Sequence, residues 1–211
     1  MKERAILFSA PMVRAILAGT KTQTRRVVKL PHMNPLGQWE PTRFGGLDGG
    51  QLRDGSTIPE QGGIWHTRTG DHLGCPYGQP GDRLWLRESF QTHIGPFGES
   101  LIYAYKATDD ERLGPWRSPI HMPRQASRIT LEVTGVRVER LQDISEKDAI
   151  AEGIEPTMPN PGHWNWKDYL AEGCQTHAVL SYKTLWESIN GPGSWDANPW
   201  VWVVEFKVLE P

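Results

Sequence analysis

The chain has 211 residues, a formal net charge of -2 and 37% hydrophobic residues. The length suits one folded core. The near-neutral charge argues against wrapping of duplex nucleic acid, since that requires many phosphate contacts. Ten tryptophans, 22 glycines and 17 prolines predict long ordered loops held by aromatic contacts, because disordered chains are poor in tryptophan. The sequence shows no secretory signal, no apolar run of membrane-spanning length and only two distant cysteines, so we expect a reduced, cytoplasmic setting.

The first predicted elements are a strand at 5–8, a helix that ends at Gly19 and a strand that begins near Thr24. Ser9 is a candidate helix cap and Pro11 suits the first helical turn. The turn between helix and strand has a concentration of positive charge, contributed by Lys21, Arg25, Arg26 and Lys29. In a chain with little net charge, such a cluster indicates a small basic pocket at this turn.

The next stretch, from 30 to 80, is dominated by glycine, proline and isolated aromatic residues. We interpret it as an insertion with a few short hairpins, one of them at 63–67. Strand character returns at 83–89, where Leu84, Leu86 and Glu88 share one face. If the leucines face the core, Glu88 is an inward carboxylate at the end of that face. We expect the strand at 101–105 to pair with this one.

A second insertion is predicted at 106–126. Beyond it, the alternation of apolar residues changes parity, which predicts a bulge at Thr134–Gly135 within one long strand. Ser145 then caps a helix of about two turns, which Gly153 ends. Residues 155–175 have the composition of a loop.

The last two elements carry the clearest periodicity. Apolar residues recur at helical spacing over 177–190, and a Gly-Pro pair ends that helix. Over 200–208, alternation places tryptophan, valine and phenylalanine side chains together, so we expect a final strand with one strongly apolar face.

Three motifs lie at the starts and ends of these elements: Gly19-x-Lys21-Thr22-x-Thr24-x-Arg26, Gly81-Asp82-Arg-Leu, and a helix at 144–154 that ends in Glu152-Gly153. In this order they resemble the conserved elements of ASCH domains, which are small β-barrels of the PUA-like superfamily. The resemblance implies an α+β, mainly β fold: one barrel domain over 1–211 with two or three short helices and long loop insertions at about 30–80 and 106–126.

The resemblance to the bacterial ASCH enzymes that hydrolyse acetylcytidine implies Lys21 as proton acceptor, Thr24 as nucleophile and Glu152 as proton donor. An unperturbed lysine amine has a pKa of about 10.4 and is protonated at neutral pH. Lowering that pKa by about three units requires roughly 4 kcal/mol of destabilisation of the charged form. The alternative interpretation is a structural ion pair between Lys21 and Glu152. For the oxyanion, the backbone amides of the Lys21 turn are the candidate donors.

Further side chains are candidates for substrate binding: Arg25, Arg26, Trp85, Arg87, Glu88 and Arg124. Arginines suit a phosphate or a base carbonyl, and an aromatic ring beside an arginine suits a nucleotide base in the same pocket. A solvated edge strand and a tryptophan lying under an insertion are the alternatives. We predict no cofactor and no metal, because His66, His72 and Cys75 lack a fourth ligand.

Two functions fit these features. The first is an amidohydrolase that acts on an N-acylated pyrimidine nucleoside. The second is an RNA-binding or ribonuclease module that uses the same basic pocket on single-stranded RNA. The expected partner is therefore a modified nucleoside or single-stranded RNA, and no membrane is expected. The long insertions and the tryptophan-rich last strand resemble the longer ASCH proteins of bacteriophages.

Overall fold

The structure is a computed structural model that describes residues 1–45, 55–57, 60–94, 101–109, 114–160 and 163–209. Strand residues outnumber helical residues, which confirms the predicted α+β, mainly β class. The strands are β1 Glu3–Leu7, β2 Gln23–Val27, β3 Trp39–Phe44, β4 Gln61–His66, β5 His72–Gly74, β6 Arg83–Arg87, β7 Phe90–Ile94, β8 Leu101–Tyr105, β9 Thr130–Arg140, β10 Pro156–Asn160, β11 His163–Lys167, β12 Cys174–Gln175 and β13 Trp200–Leu209. The α-helices are α1 Ala10–Leu17, α2 Glu146–Ala151 and α3 Ala178–Asn190.

Five strands form the central sheet, in the order β1-β6-β9-β13-β2. β1 runs parallel to β6, and the other neighbours are antiparallel. Between β9 and β13, Gly135 lies opposite Glu205 and Val133 lies opposite Phe206. Thr134 is therefore the extra residue of a β-bulge, which confirms the prediction drawn from the change of parity.

The central sheet curls without closing into a barrel. Arg26 Nη2 donates a hydrogen bond to the backbone oxygen of Leu7 at 2.6 Å, and its guanidinium lies 5.3 Å from the Phe8 ring centre. These contacts bring the end of β1 towards β2, but the two strands do not pair in the described residues. The expectation of a closed barrel is therefore wrong for the described residues, in which a side-chain contact and not a hydrogen-bonded ladder joins β1 and β2.

Both faces of the sheet are covered. One core contains Trp202, Val204 and Phe206 of β13, and the other contains Val201 and Val203 together with side chains of α2 and α3. The expectation of a single apolar face on the last strand is therefore wrong. The valines alternate with the larger residues, and the helices bury them from the opposite side.

The helices begin and end as their sequences predict, with one exception. The Ser145 side chain accepts a hydrogen bond from Asp148 N at 3.1 Å at the start of α2, and α1 is followed by Gly19 with φ +72°. The Ser9 side chain makes no capping hydrogen bond. In the described part of the chain, no helix has the length and apolar character needed to cross a membrane.

Smaller sheets fill the remaining stretches. In the described residues of the insertion at 30–80, short hairpins form the antiparallel sheet β3-β4-β5. The hairpin predicted at 63–67 is wrong in its position, because residues 63–66 belong to the single strand β4 and the turn follows them at 67–69. The strand at 101–105 pairs with 90–94 and not with 83–89, because these two neighbouring strands form a local hairpin. The stretch 155–175, expected as a loop, contains the sheet β10-β11-β12. In the second insertion the described residues form two short 3₁₀ helices, Pro119–His121 and Arg124–Ala126, and 110–113 lie outside the described residues.

Candidate functional site

The turn after α1 meets the end of α2. Thr22 N donates to the backbone oxygen of Ala151 at 2.9 Å, and Lys21 forms an isolated antiparallel bridge with Glu152. Gly153 has φ +81°, and a Cβ there would lie 2.8 Å from Lys21 Cβ. Only glycine fits this close approach without strain, so the Glu-Gly end of the helix brings Glu152 onto Lys21.

Lys21 is buried, with 2% of its surface exposed. Its Nζ donates to Glu152 Oε2 at 2.9 Å and to the backbone oxygen of Glu152 at 2.8 Å. Burial lowers the pKa of Lys21 below its ordinary value; the Glu152 carboxylate opposes this effect, and the positive charges of Arg26 and Arg25 add to it. The lysine is therefore a weaker base in this structure than in water.

The second oxygen of Glu152 accepts a hydrogen bond from Arg25 Nη1 at 3.0 Å. The same guanidinium also binds Glu139, through Nε at 3.0 Å and through Nη2, and lies 3.5 Å from Asp148 Oδ2. Arg25 thus holds three carboxylates, one from β9 and two from α2 and its C-cap, and its side chain has little hydrogen-bonding capacity left for a substrate. The sequence predicts a substrate contact at this position; the structure places a charge partner of Glu152 there.

Thr24 and Glu152 line one small cavity of about 90 Å³. It lies beside β2, which is an edge strand of the central sheet, and is covered by Met12 of α1 and by Tyr182 and Trp186 of α3. Arg25, Arg26 and Asn190 add further polar side chains to the lining. Lys21 is not among the lining residues, so Glu152 is the member of the Lys21–Glu152 pair that faces this cavity.

The backbone amides of the Lys21 turn, candidates for oxyanion donors, are already engaged. Thr20 N and Lys21 N both donate to the backbone oxygen of Ala15 at 3.0 Å, and Thr22 N donates to that of Ala151. An amide that is hydrogen-bonded within the protein is not free to bind a developing negative charge. That prediction is wrong for the structure described.

Two side chains that line the cavity carry other buried donors. Arg26 Nε and Trp186 Nε1 are buried and have no hydrogen-bond partner within the described residues. In the ladder with β13, Val28 N donates to Trp200 O and Phe206 N donates to Thr22 O. In an antiparallel ladder, every second residue of a strand bonds to the same neighbour. Because residues 22 and 28 bond to β13, the even-numbered residues between them face β13 as well. The N–H of Arg25 therefore points the other way, towards the free edge, where the cavity lies.

Three predicted substrate residues lie away from this cavity. Arg87 stacks over Trp85 with its guanidinium 4.5 Å from the ring centre, and Arg124 lies 5.9 Å from the same ring. Arg124 also pairs with Glu3 at 2.8 Å. β6, which carries Trp85, is separated from β2 by β9 and β13, so these side chains form a separate surface group.

Glu88 is buried as expected, with 1% of its surface exposed, but it also lies apart from the cavity. Its two carboxylate oxygens accept hydrogen bonds from Arg128 Nε at 2.9 Å and Arg128 Nη2 at 3.1 Å. This bidentate pair satisfies the carboxylate. Arg128 stacks on the ring of Tyr105 at 4.0 Å, so Glu88 belongs to the packing under the β7–β8 hairpin.

The contribution of α3 to the cavity was missed from sequence. Tyr182 and Trp186 were recognised there only as part of an apolar helical stripe. Burial raises the pKa of Tyr182 well above its ordinary value, and the Arg25 guanidinium lies 5.9 Å from its ring centre. No sequence signal distinguishes a tryptophan that lines a cavity from one that only fills a core.

A larger cleft of about 620 Å³ lies between β4 and the bulged part of β9. It contains none of the predicted site residues. Its charged side chains are paired: Arg43 with Glu60 at 3.1 Å, and Arg137 with Glu139 at 3.0 Å and with Asp148 at 3.1 Å. Of the two cavities, the smaller one is therefore lined by the motif residues Thr24 and Glu152.

Comparisons of the chain with protein-family models, curated proteins and solved structures give no match. The resemblance to ASCH domains therefore stays a prediction from the motifs around Lys21, Asp82 and Glu152.

Proposed function

We propose that this protein is an amidohydrolase acting on an N-acylated pyrimidine nucleoside of the acetylcytidine type. The observation that carries the proposal is the buried contact of 2.9 Å between Lys21 Nζ and Glu152 Oε2, which joins residues 131 positions apart. Glu152 shares its cavity with Thr24. A base, an acid and a hydroxyl are the groups that acyl transfer through a covalent intermediate requires.

The lysine–glutamate pair holds one proton that both members can carry. Moving it from Lys21 Nζ to Glu152 converts an ion pair into a free amine and a carboxylic acid, which are the base and the acid of the reaction. Burial favours this neutral form, because charged groups lose hydration in the protein interior. The hydrogen bond from Arg25 to Glu152 favours the ionic form, so Arg25 sets the balance between the two states.

In the neutral form, Thr24 Oγ attacks the acyl carbon while Lys21 takes the hydroxyl proton. The C–N bond breaks, and the departing amine takes the proton of Glu152. This leaves an acyl ester on Thr24 beside an ammonium and a carboxylate. Water then attacks the ester, Glu152 accepts its proton, and Lys21 returns a proton to Thr24 as the product leaves as a carboxylic acid, which ionises in water. The reaction requires Lys21 Nζ to reach Thr24 Oγ from its position beside Glu152.

The test is acetate release from acetylcytidine by the wild type, Lys21→Met and Thr24→Val. Each substitution keeps the side-chain volume and removes the reacting atom, and we expect turnover to fall by at least about a hundredfold. Thr22→Val is the matched control, since Thr22 is exposed two positions from the buried Thr24. Wild-type protein that releases no acetate, or a Thr24→Val variant as active as Thr22→Val, would refute the proposal.

A second candidate function, binding of single-stranded RNA, is favoured by the stack of Arg87 on Trp85. Aromatic rings beside arginines bind bases in a sequence-tolerant manner. This surface is separate from the Lys21 cavity, so Trp85→Ala would weaken RNA binding while Lys21→Met would not. Binding is measured by fluorescence anisotropy with an oligonucleotide at several salt concentrations. RNA binding that Trp85→Ala leaves unchanged would exclude this surface.

A further inference from the structure

We propose that the cavity between β2 and α3 is a binding site for a small carboxylate or acyl carbonyl, with Trp186 Nε1 and Arg26 Nε as its hydrogen-bond donors. Naming this group as the acyl end of the substrate relies on the proposed function. The existence of the binding site does not, because it is inferred from the donors, the charges and the size of the cavity.

The first observation is the pair of unpartnered donors. Trp186 has 5% of its surface exposed, and its indole N–H is buried without a partner in the described part of the chain, as is Arg26 Nε. Both residues line the same cavity. A buried donor without an acceptor destabilises the fold, so two of them at one cavity indicate a ligand that supplies the acceptor.

The second observation is the charge around the cavity. Arg25 and Arg26 contribute two guanidinium groups, and Glu152 is the carboxylate in the lining. Glu152 pairs with Lys21 at 2.9 Å and with Arg25 at 3.0 Å, and Arg25 also pairs with Glu139 and Asp148. Arg26 forms no ion pair within the described residues. The remaining positive charge of Arg26 favours an anion or a carbonyl oxygen over a cation, and the backbone N–H of Arg25 at the free strand edge adds a third donor.

The third observation is size. The cavity measures about 90 Å³, which suits a group of a few heavy atoms such as an acetyl group or an acetate ion. Sites for whole drug-sized ligands measure about 300–1,000 Å³. The cavity therefore accepts the short acyl end of a larger molecule, and a nucleoside would lie outside it. Met12, Leu185 and Ile189 provide apolar contacts for a methyl group.

The experiment uses the free carboxylate, so it does not depend on turnover. Sodium acetate is titrated into protein labelled with ¹⁵N-tryptophan, and the indole N–H signals are followed by NMR. The signal absent from Trp186→Phe identifies Trp186. We expect this signal to shift saturably to lower field with acetate, while the other indole signals and a titration with sodium chloride show no such change.

Two variants test the donors. Trp186→Phe keeps an aromatic ring without the donor, and Arg26→Lys keeps the charge without Nε; each should weaken acetate binding by about tenfold in isothermal calorimetry. Trp195→Phe is the matched control, because Trp195 is buried in the same apolar cluster and does not line the cavity. It should bind acetate like the wild type. Sodium benzoate should not bind, since its ring exceeds the cavity.

The outcomes are distinct. Wild-type protein that binds no acetate overturns the inference, and water then satisfies the two donors. Equal loss of binding in Trp186→Phe and Trp195→Phe also overturns it, because the effect would come from core packing. Saturable acetate binding that depends on Trp186, in a protein that hydrolyses no acylated nucleoside, supports the carboxylate site and refutes only the proposed function.

Discussion

The buried carboxylate of Glu152 gives the sharpest prediction for stability. Its two oxygens accept hydrogen bonds from Lys21 at 2.9 Å and Arg25 at 3.0 Å, and its side chain is 4% exposed. Glu152→Gln keeps the shape and removes the charge, which leaves two buried cations beside a neutral amide. Breaking a buried ion pair by removing one partner costs about 3–5 kcal/mol.

The lower end of that range applies here. Arg25 keeps Glu139 as a partner, and Lys21 has a pKa that burial already lowers, so it can lose its proton and avoid part of the penalty. We therefore expect Glu152→Gln to reduce the free energy of unfolding by about 3 kcal/mol. The measurement is equilibrium unfolding in urea. The m-value, which is the slope of the unfolding free energy against urea concentration, is compared between variants to verify that the transition stays cooperative.

The same substitution at Glu155 is the control. Glu155 also pairs with a lysine at 2.9 Å, but the side chains of Lys167 and Glu155 are 43% and 46% exposed. An exposed pair contributes about 0–1 kcal/mol, so Glu155→Gln should change stability little. Equal losses in the two variants would refute the reasoning, because burial is the difference between the two pairs.

Three further predictions concern the same region and the cysteines. Gly153→Ala should cost about 2 kcal/mol more than Gly19→Ala in urea unfolding, because both glycines have positive φ but only a Cβ at Gly153 would clash with Lys21. The wild type should gain stability relative to Lys21→Met as the pH rises towards 10.5, the ordinary pKa of lysine. Burial lowers the pKa of Lys21 in the folded state, so between that lowered pKa and 10.5 the unfolded state binds more protons than the folded state, and its stability falls with rising pH relative to the folded state. In thiol labelling at pH 8, exposed Cys174 should react fast and Cys75 slowly, because burial raises the pKa of Cys75 to about 11.

Each of these has an outcome that would contradict it. Equal destabilisation by Gly153→Ala and Gly19→Ala would mean that the close approach to Lys21 is unimportant. A constant stability difference between wild type and Lys21→Met from pH 7 to pH 10 would mean that burial does not perturb the lysine. A Cys174→Ser variant that still reacts fast would show that Cys75 is accessible as a thiolate.

The sequence predicts local features of this fold well. The change of parity at Thr134–Gly135 marks the bulge, since a period of two is a direct property of a strand. The helix at 178–190 and the turn at Gly19 follow from side-chain spacing and from backbone conformations that favour glycine. These features depend on neighbours within a few positions, which the sequence contains explicitly.

Features that depend on strand order could not be predicted. Trp85 was expected in the pocket with Lys21, but its strand lies three positions across the sheet from β2. The burial of Val201 and Val203 depends on helices that pack from the opposite face. Arg26 Nε and Trp186 Nε1 lack partners among the described residues because of distances between elements, and residue types alone give no sign of this.

The order of strands in the central sheet also has a consequence for synthesis on the ribosome. β13 lies between β9 and β2 and is the last strand of the described chain, so no earlier segment can join the two sides of the sheet. Lys21 and Glu152 are 131 positions apart, which at about 5–20 residues per second is a delay of roughly 7–26 s. During that time Lys21 lacks its partner Glu152, and a chain stalled before residue 200 lacks the strand that joins β9 to β2.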